Sequence, residues 1–407
     1  MNTAKVQKAT PQMATIYGVL FAISGGHLFN DAIQAVVPAM NPVFEEILQL
    51  SYAQIGWIAF VLNMTSSVMQ PVFGYIADRR PTPFLLPFGM LLSMIGLIGF
   101  GLSPNYPVIL LSVFFIGLGS AIFHPEGSRV AYMAAGTKRG LAQSIYQVGG
   151  NFGQSLAPVF TAFIFVRFGQ KGALSFIVVT LLGMLLLFFV SRWYKKQLEL
   201  DAFKPKKKQN GEKGAPIHRK IKAAIALLVF LVFARSWYSA GIVNFYQFYL
   251  RNEYGFTIKQ AQLYLFIFMF AGVLGTFFGG PLADRFGRRN IIFMSMAGAA
   301  PLTILLPHVS IEWIIPLIFL IGFIVTSSFS VTVVYAQELV PKKIGMVSGL
   351  IVGFAFGMGA VGAVFLGTLA DLFSIKVLMV FCSLLPLLGI LTWLLPTDAK
   401  VRELTAE

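Results

Sequence analysis

The chain has 407 residues, 57% hydrophobic and only 12% charged, with a mean hydropathy of +0.77 and a formal net charge of +15. That is far more apolar side chain than one soluble core of this length can bury, so a soluble globular enzyme is excluded and most of the chain belongs in lipid. The single cysteine, Cys382, excludes an intrachain disulfide, and no Cys/His cluster shows metal-ligand spacing, so no metal site is expected.

Apolar runs, cut at charged residues and at Pro, Gly and Asn clusters, predict spans over 14–40, 54–77, 83–102, 106–128, 140–167 and 173–192. A second set follows over 223–250, 260–283, 290–307, 313–337, 345–370 and 376–396. Twelve spans of about 20 residues account for roughly 240 residues, close to the whole apolar complement. The first run is too long for a signal-peptide core and lacks an A-x-A cleavage site, so it is expected to remain as the first helix. The expected architecture is all-α and integral to the membrane: a six-helix bundle over 1–192, a basic linker over 193–222, a second six-helix bundle over 223–396 and a tail over 397–407. Arg192 to Lys222 holds eleven Lys or Arg against Glu199, Asp201 and Glu212 and reads as solvated.

With the N-terminus in the cytoplasm, 25 of the 31 cationic residues fall on the cytoplasmic side. Arg167, Lys171, Arg251, Lys259 and Lys376 fall on the other, and Arg235 lies inside the seventh span. The positive-inside rule therefore places the linker and both termini in the cytoplasm. The linker's charge is assigned to orientation and solubility, with no nucleic-acid partner.

After the second span the chain reads Gly74-Tyr-Ile-Ala-Asp78-Arg79-Arg80, and after the eighth Gly280-Pro-Leu-Ala-Asp284-Arg285-Phe-Gly287-Arg288-Arg289, an offset of 206 residues for both Gly and Asp. Glu126 and Glu338, each before a basic turn, form a second echo, so the halves are related. These loops resemble the signature G-x-L-A-D-R-x-G-R-R of the major facilitator superfamily. The first copy departs from it, running Arg80-Pro81-Thr82-Pro83 after Arg79. The resemblance implies two pseudo-symmetric six-helix bundles and a conformational latch. Its members here are Gly74, Asp78, Arg79, Gly280, Asp284, Arg285, Gly287, Arg288 and Arg289, charges at helix ends that hold one state closed.

Four stretches further resemble the fosmidomycin-resistance family of drug efflux proteins: Gly26-His27-Leu28-Phe29-Asn30-Asp31, Gln70-Pro71-Val72-Phe73-Gly74, Phe123-His124-Pro125-Glu126-Gly127-Ser128-Arg129 and Gln143-Ser144-Ile145-Tyr146-Gln147-Val148-Gly149-Gly150-Asn151. What this implies is proton-driven export of small, often anionic antibiotics from a bacterial inner membrane. The implied form is a monomer with no bound cofactor and the proton as coupling ion.

Ionisable side chains inside a span are costly, so each is a functional candidate. His27, Asn30, Asp31 and Gln34 share one face of the first helix, which should line a cavity where Asp31 and His27 can exchange a proton. Helix four carries His124, Pro125 and Glu126, with Arg129 one turn on as an ion-pair partner for Glu126. Pro125 should loosen that turn. His124 and Glu126 are coupling candidates, against a static hydrogen-bonded histidine and a structural pair. Gln143, Gln147, Asn151 and Gln154 form an amide stripe on helix five for a polar solute, joined by Gln70, or else bond between helices. Gly149 and Gly153 lie off the stripe and permit close packing. Arg235, with Tyr238, Ser239, Tyr246 and Tyr249 nearby on the helical wheel, is suited to clamp an anion, or alternatively to neutralise Asp31 or Glu126 across the cavity.

Gly357-Met-Gly359-Ala-Val-Gly362 matches a dinucleotide fingerprint but lies inside an apolar span with no preceding strand. Gly349, Gly353 and Gly357 read instead as a packing ridge. Asn63-Met-Thr65 has glycosylation spacing but sits mid-span. Without a P-loop the energy source is an ion gradient, and the titratable candidates favour protons. The leading expectation is drug:proton antiport by alternating access. The rivals are uptake or export of an endogenous organic or phosphorylated anion, and a membrane enzyme using His124 and Glu126. Against the enzyme stand the lack of a nucleophile–base pair and the presence of paired latches. A channel is disfavoured because no filter-like loop appears.

Overall fold

The computed structural model describes residues 15–136, 139–199, 219–340 and 344–406. Twelve long helical spans follow the predicted order. In the first half they are α1 (Tyr17–Ala39), α2 (Tyr52–Arg79), α3 (Leu85–Leu102), α4 (Tyr106–Ala134), α5 (Arg139–Phe160, continued by a π turn Thr161–Phe165) and α6 (Phe176–Glu199). In the second half they are α7 (Arg219–Tyr254), α8 (Ile258–Phe286), α9 (Arg288–His308), α10 (Ile311–Leu339), α11 (Ile344–Leu372) and α12 (Ile375–Leu394). Polar residues His27, Asn30, Asp31 and Gln34 dilute the apolarity of α1.

Large apolar side chains such as Phe163, Leu182, Phe189, Trp313 and Leu394 stay exposed on the outside, as a lipid-facing surface requires. Three departures from the predicted layout have local causes. A short helix, Asn41–Leu48, follows α1. The expected linker begins and ends in helix, since α6 runs to Glu199 and α7 starts at Arg219. The expected tail forms a helix, Asp398–Ala406. Asp398 tethers it by accepting hydrogen bonds from the backbone N–H groups of Arg288 at 2.8 Å and Arg289 at 3.3 Å.

The repeat is visible in helix capping as well as in the loops. Ser51 with Gln54 and Thr257 with Gln260 form reciprocal capping boxes at the starts of α2 and α8. Helix four runs through Pro125 without interruption, although the missing N–H of Pro125 leaves the Ala121 carbonyl without its helical donor. The interruption falls in α10 at Ser327–Ser328, which separates Ile311–Thr326 from Phe329–Leu339.

At the end opposite the termini, the halves are joined by helix ends capped across the interface. Asp371 of α11 accepts from the backbone N–H groups of Tyr52 at 2.9 Å and Ala53 at 2.7 Å, which are orphan donors at the start of α2. Gln247 and Gln262 donate to the carbonyls of Pro38 at 3.1 Å and Ala39 at 3.0 Å, orphan acceptors at the end of α1, and the two amides also bond each other. Arg251 bridges Glu45 at 2.9 Å and Glu46 at 2.6 Å. Gly56 and Gly367 let α2 and α11 meet backbone to backbone here. The α2–α11 packing does not extend to Gly353 or Gly357, where an added Cβ would meet nothing within 4 Å, so the ridge expected at those glycines is not a packing surface. Gly349 lies outside the residues whose surroundings are described.

Asp371 is the firmest of these ties, because the exposed Arg251 pairs contribute only about 0.2–1 kcal/mol each. With nitroxide labels at Ile47 and Leu372, Asp371→Ala should raise the population of long distances about tenfold relative to the parent, as expected for losing charge-assisted bonds to two backbone donors. An unchanged distance distribution would show that the cap does not hold this end shut.

Candidate functional site

The centre of the first half is a cluster around Asp31, a carboxyl only 4% exposed. Its Oδ1 accepts from Asn30 Nδ2 at 2.9 Å and its Oδ2 from Gln154 Nε2 at 2.9 Å. His27 Nε2 lies 3.3 Å from Oδ2, and His124 Nε2 lies 3.7 Å from Oδ1. His27 and Asp31 are one turn apart on α1, Gln154 comes from α5 and His124 from α4. His27 is fixed on its other side: Nδ1 lies 2.8 Å from the carbonyl oxygen of Tyr146, and the ring stacks on Tyr146 with centroids 4.1 Å apart. A Cβ at Gly150 would fall on the His27 ring, and one at Gly153 on the Leu28 carbonyl, which is why α5 needs glycine along this seam.

Proton placement follows from these contacts. A carbonyl oxygen only accepts, so Nδ1 of His27 carries hydrogen. Nε2 then faces Asp31 Oδ2 at 3.3 Å, close enough for a proton to pass between the two groups. The ligand atoms of His27, Asp31 and His124 lie within 4.8 Å of one another, a grouping hidden in the sequence because His124 comes from another helix. Two amides and two imidazoles surround the carboxylate oxygens.

The other candidates are spread over several places. Gln34 donates to Ser120 Oγ at 2.6 Å. Gln70, Gln147 and Asn151 are half-buried and Gln143 is exposed, and none of the four makes a side-chain hydrogen bond among the described residues. Glu126, 1% exposed, accepts from Tyr194 Oη of α6 at 2.8 Å. Arg129 donates to the Ala77 carbonyl at 2.9 Å, tying α4 to the end of α2.

Arg235 is buried in the second half, with Nη1 2.8 Å from Ser328 Oγ and 3.4 Å from Thr332 Oγ1 of α10. It pairs with neither Asp31 nor Glu126 in this conformation. Tyr238 and Tyr246 face the interior of the same half, near Thr303, Met379 and Cys382, and Tyr249 donates to the Pro307 carbonyl at 2.9 Å.

The residues of the second copy make their contacts within their own half. Arg288 bridges Glu338 at 3.0 Å and reaches Asp284 and Asp398 at 3.9 Å, while Gly287 turns the chain at φ +88°. Arg289 donates to the Trp393 carbonyl at 2.8 Å, and Arg285 lies over Phe286. In the first copy, Arg79 lies over the Tyr75 ring at 4.3 Å, Gly74 is half-buried, and the Asp78 side chain lies outside what is described. Sequence reading missed Tyr194, Asp371, Gln247, Gln262, Ser328 and Thr332. Only Asp371, a lone carboxylate ending an apolar span, carried a usable signal.

Two related six-helix halves, closed at one end and carrying polar groups within their spans, define a membrane transporter that works on small molecules. The family model described as Major Facilitator Superfamily matches residues 20–246 and 225–407, and the chain belongs to that family. It is 44% identical to the fosmidomycin resistance protein of Escherichia coli (strain K12), over 96% of this chain and 95% of that one. It is 53% identical to an uncharacterized MFS-type transporter, YfnC, of Bacillus subtilis (strain 168), over 96% and 95%. The fold is similar to that of a bacterial homologue of the human lysosomal transporter Spinster, solved inward-facing and unoccupied. The TM-score is 0.78 at 16% identity, covering 98% of each chain. The chain is thus a multi-pass membrane transporter and not an enzyme.

Proposed function

We propose that this transporter exports small anionic antibiotics of the fosmidomycin type in exchange for protons, across a bacterial inner membrane with both termini in the cytoplasm. With that orientation the closed end faces outward. The observation that carries the reading is the buried His27–Asp31 pair, 3.3 Å apart in the middle of a span. An ionisable pair in the middle of a span is costly, and it is tolerable as a carrier whose charge changes during the cycle. His27 and Asp31 sit on one helix and are pinned to α5, so they move as a unit. His124 stands on α4 with a quarter of its side chain exposed, and its 3.7 Å gap exceeds a hydrogen bond. It is therefore the group that loads and unloads the pair.

Similarity to the fosmidomycin resistance protein supports the substrate class. The buried cation Arg235 supports an anion, and it equally suits an endogenous organic or phosphorylated anion on the same scaffold. The test is proton flux in liposomes carrying a pH gradient. Flux that begins only when fosmidomycin is added supports coupled export; drug movement with no proton flux removes the coupling.

A further inference from the structure

In the second half, Arg235 is 7% exposed and stands midway along a membrane span. Among the described residues no carboxylate lies within 4.0 Å of its guanidinium, and Nε and Nη2 have no acceptor. Its two partners are neutral hydroxyls, Ser328 and Thr332, both almost fully buried. These hydroxyls flank the break in α10. Ser328 is the N-cap residue of the eleven-residue helix Phe329–Leu339, whose first N–H groups carry the positive end of the helix dipole. Phe329, the first residue of that helix, lies under the guanidinium at 5.5 Å. A full positive charge and a helix N-terminus therefore share one buried spot, with no negative group of the described chain beside them. Like charges held this way out of water are unfavourable unless an anion joins them.

We infer that Arg235, the hydroxyls of Ser328 and Thr332 and the start of Phe329–Leu339 form the subsite for the charged headgroup of the exported solute, a phosphonate or phosphate. This rests on the export reading and names its anion-binding residues. The hydroxyl roles are already sorted. Thr332 Oγ1 donates to the Ser328 carbonyl at 2.6 Å and so accepts from Arg235, while the Ser328 hydroxyl accepts from Arg235 and keeps its own hydrogen for an anion. A headgroup oxygen would take that hydrogen and the guanidinium fork together, as helix termini and Arg take phosphate elsewhere. Broken helices whose half-helix N-terminus points at a substrate anion recur in transporters. Ser295 and Met296 of α9 line the adjoining space.

The test is calorimetric titration of the purified full-length protein with fosmidomycin and with inorganic phosphate, for the parent, Ser328→Ala, Thr332→Val and Arg235→Lys. Ser328→Ala is expected to weaken fosmidomycin binding about tenfold and Arg235→Lys more, consistent with losing hydrogen bonds to a charged group. Phosphate should compete in the parent and lose that ability in Arg235→Lys. Parent-like affinity in both Ser328→Ala and Thr332→Val, two changes that remove little volume, would overturn the subsite even if Arg235→Lys misfolds. Failure of the parent to bind either anion would overturn it too. Binding lost in the variants while the parent shows no drug-dependent proton flux would keep the subsite and remove the coupling instead.

Discussion

Asp31→Asn is expected to lower drug-driven proton flux by about two orders of magnitude, the usual scale for deleting a positioned proton-transfer group, while leaving the protein folded. The carboxamide has nearly the shape of the carboxyl and can still accept from Asn30 or Gln154, so the packing of α1 against α5 is preserved. What it cannot do is share a proton with His27 Nε2, now 3.3 Å from Asp31 Oδ2. His27→Gln should give a similar loss, since Nδ1 anchoring to Tyr146 has no purpose without the ring. Glu126→Gln is expected to do less, because Tyr194 can donate to an amide oxygen as it does to Glu126. Proteoliposome flux at fixed pH gradient measures all three. Equal flux in Asp31→Asn and the parent would remove the His27–Asp31 pair from the coupling scheme.

The second large effect is structural. A Cβ at Gly153 would land on the backbone carbonyl of Leu28, which cannot move without shifting α1. Gly153→Ala should therefore destabilise the protein by about 1–3 kcal/mol, the range for overpacking a tight interior. Gly150→Ala meets the side chain of His27 instead, so it should cost less stability and more proton coupling. Gly280→Ala meets nothing within 4 Å and serves as the control, neutral or slightly stabilising. Thermal denaturation in detergent ranks the three. A Gly153→Ala protein as stable as Gly280→Ala would mean that α1 and α5 are not locked at this seam.

Coupling and architecture meet at that seam. Glycines on α5 bring it close enough to α1 for Gln154 to reach Asp31 and for the Tyr146 carbonyl to orient His27. The same periodicity that reads as an amide stripe thus splits in space. Gln154 donates to Asp31, whereas Gln143, Gln147 and Asn151 carry no side-chain bond among the described residues. Proline shows a similar limit. Pro125 leaves α4 continuous, whereas α10 breaks at Ser327–Ser328, where no proline stands.

The sequence by itself determined the number and order of the spans, the two related halves and the polar face of α1. Each of these follows from local composition and helical period, which survive in any packing of the chain. It also singled out Arg235 as a cation inside a span. Only the tertiary structure decided which of these groups meet. Period places a residue on a face without naming the helix it faces, and in lipid every apolar face is an equally good neighbour. So His124 joining Asp31, Glu126 turning to Tyr194, Arg235 resting on Ser328 and Thr332, and Asp371 capping the opposite half were settled by contacts between segments far apart in the chain. There, small residues set how closely helices approach, and unpaired polar groups take the partners that packing brings within reach.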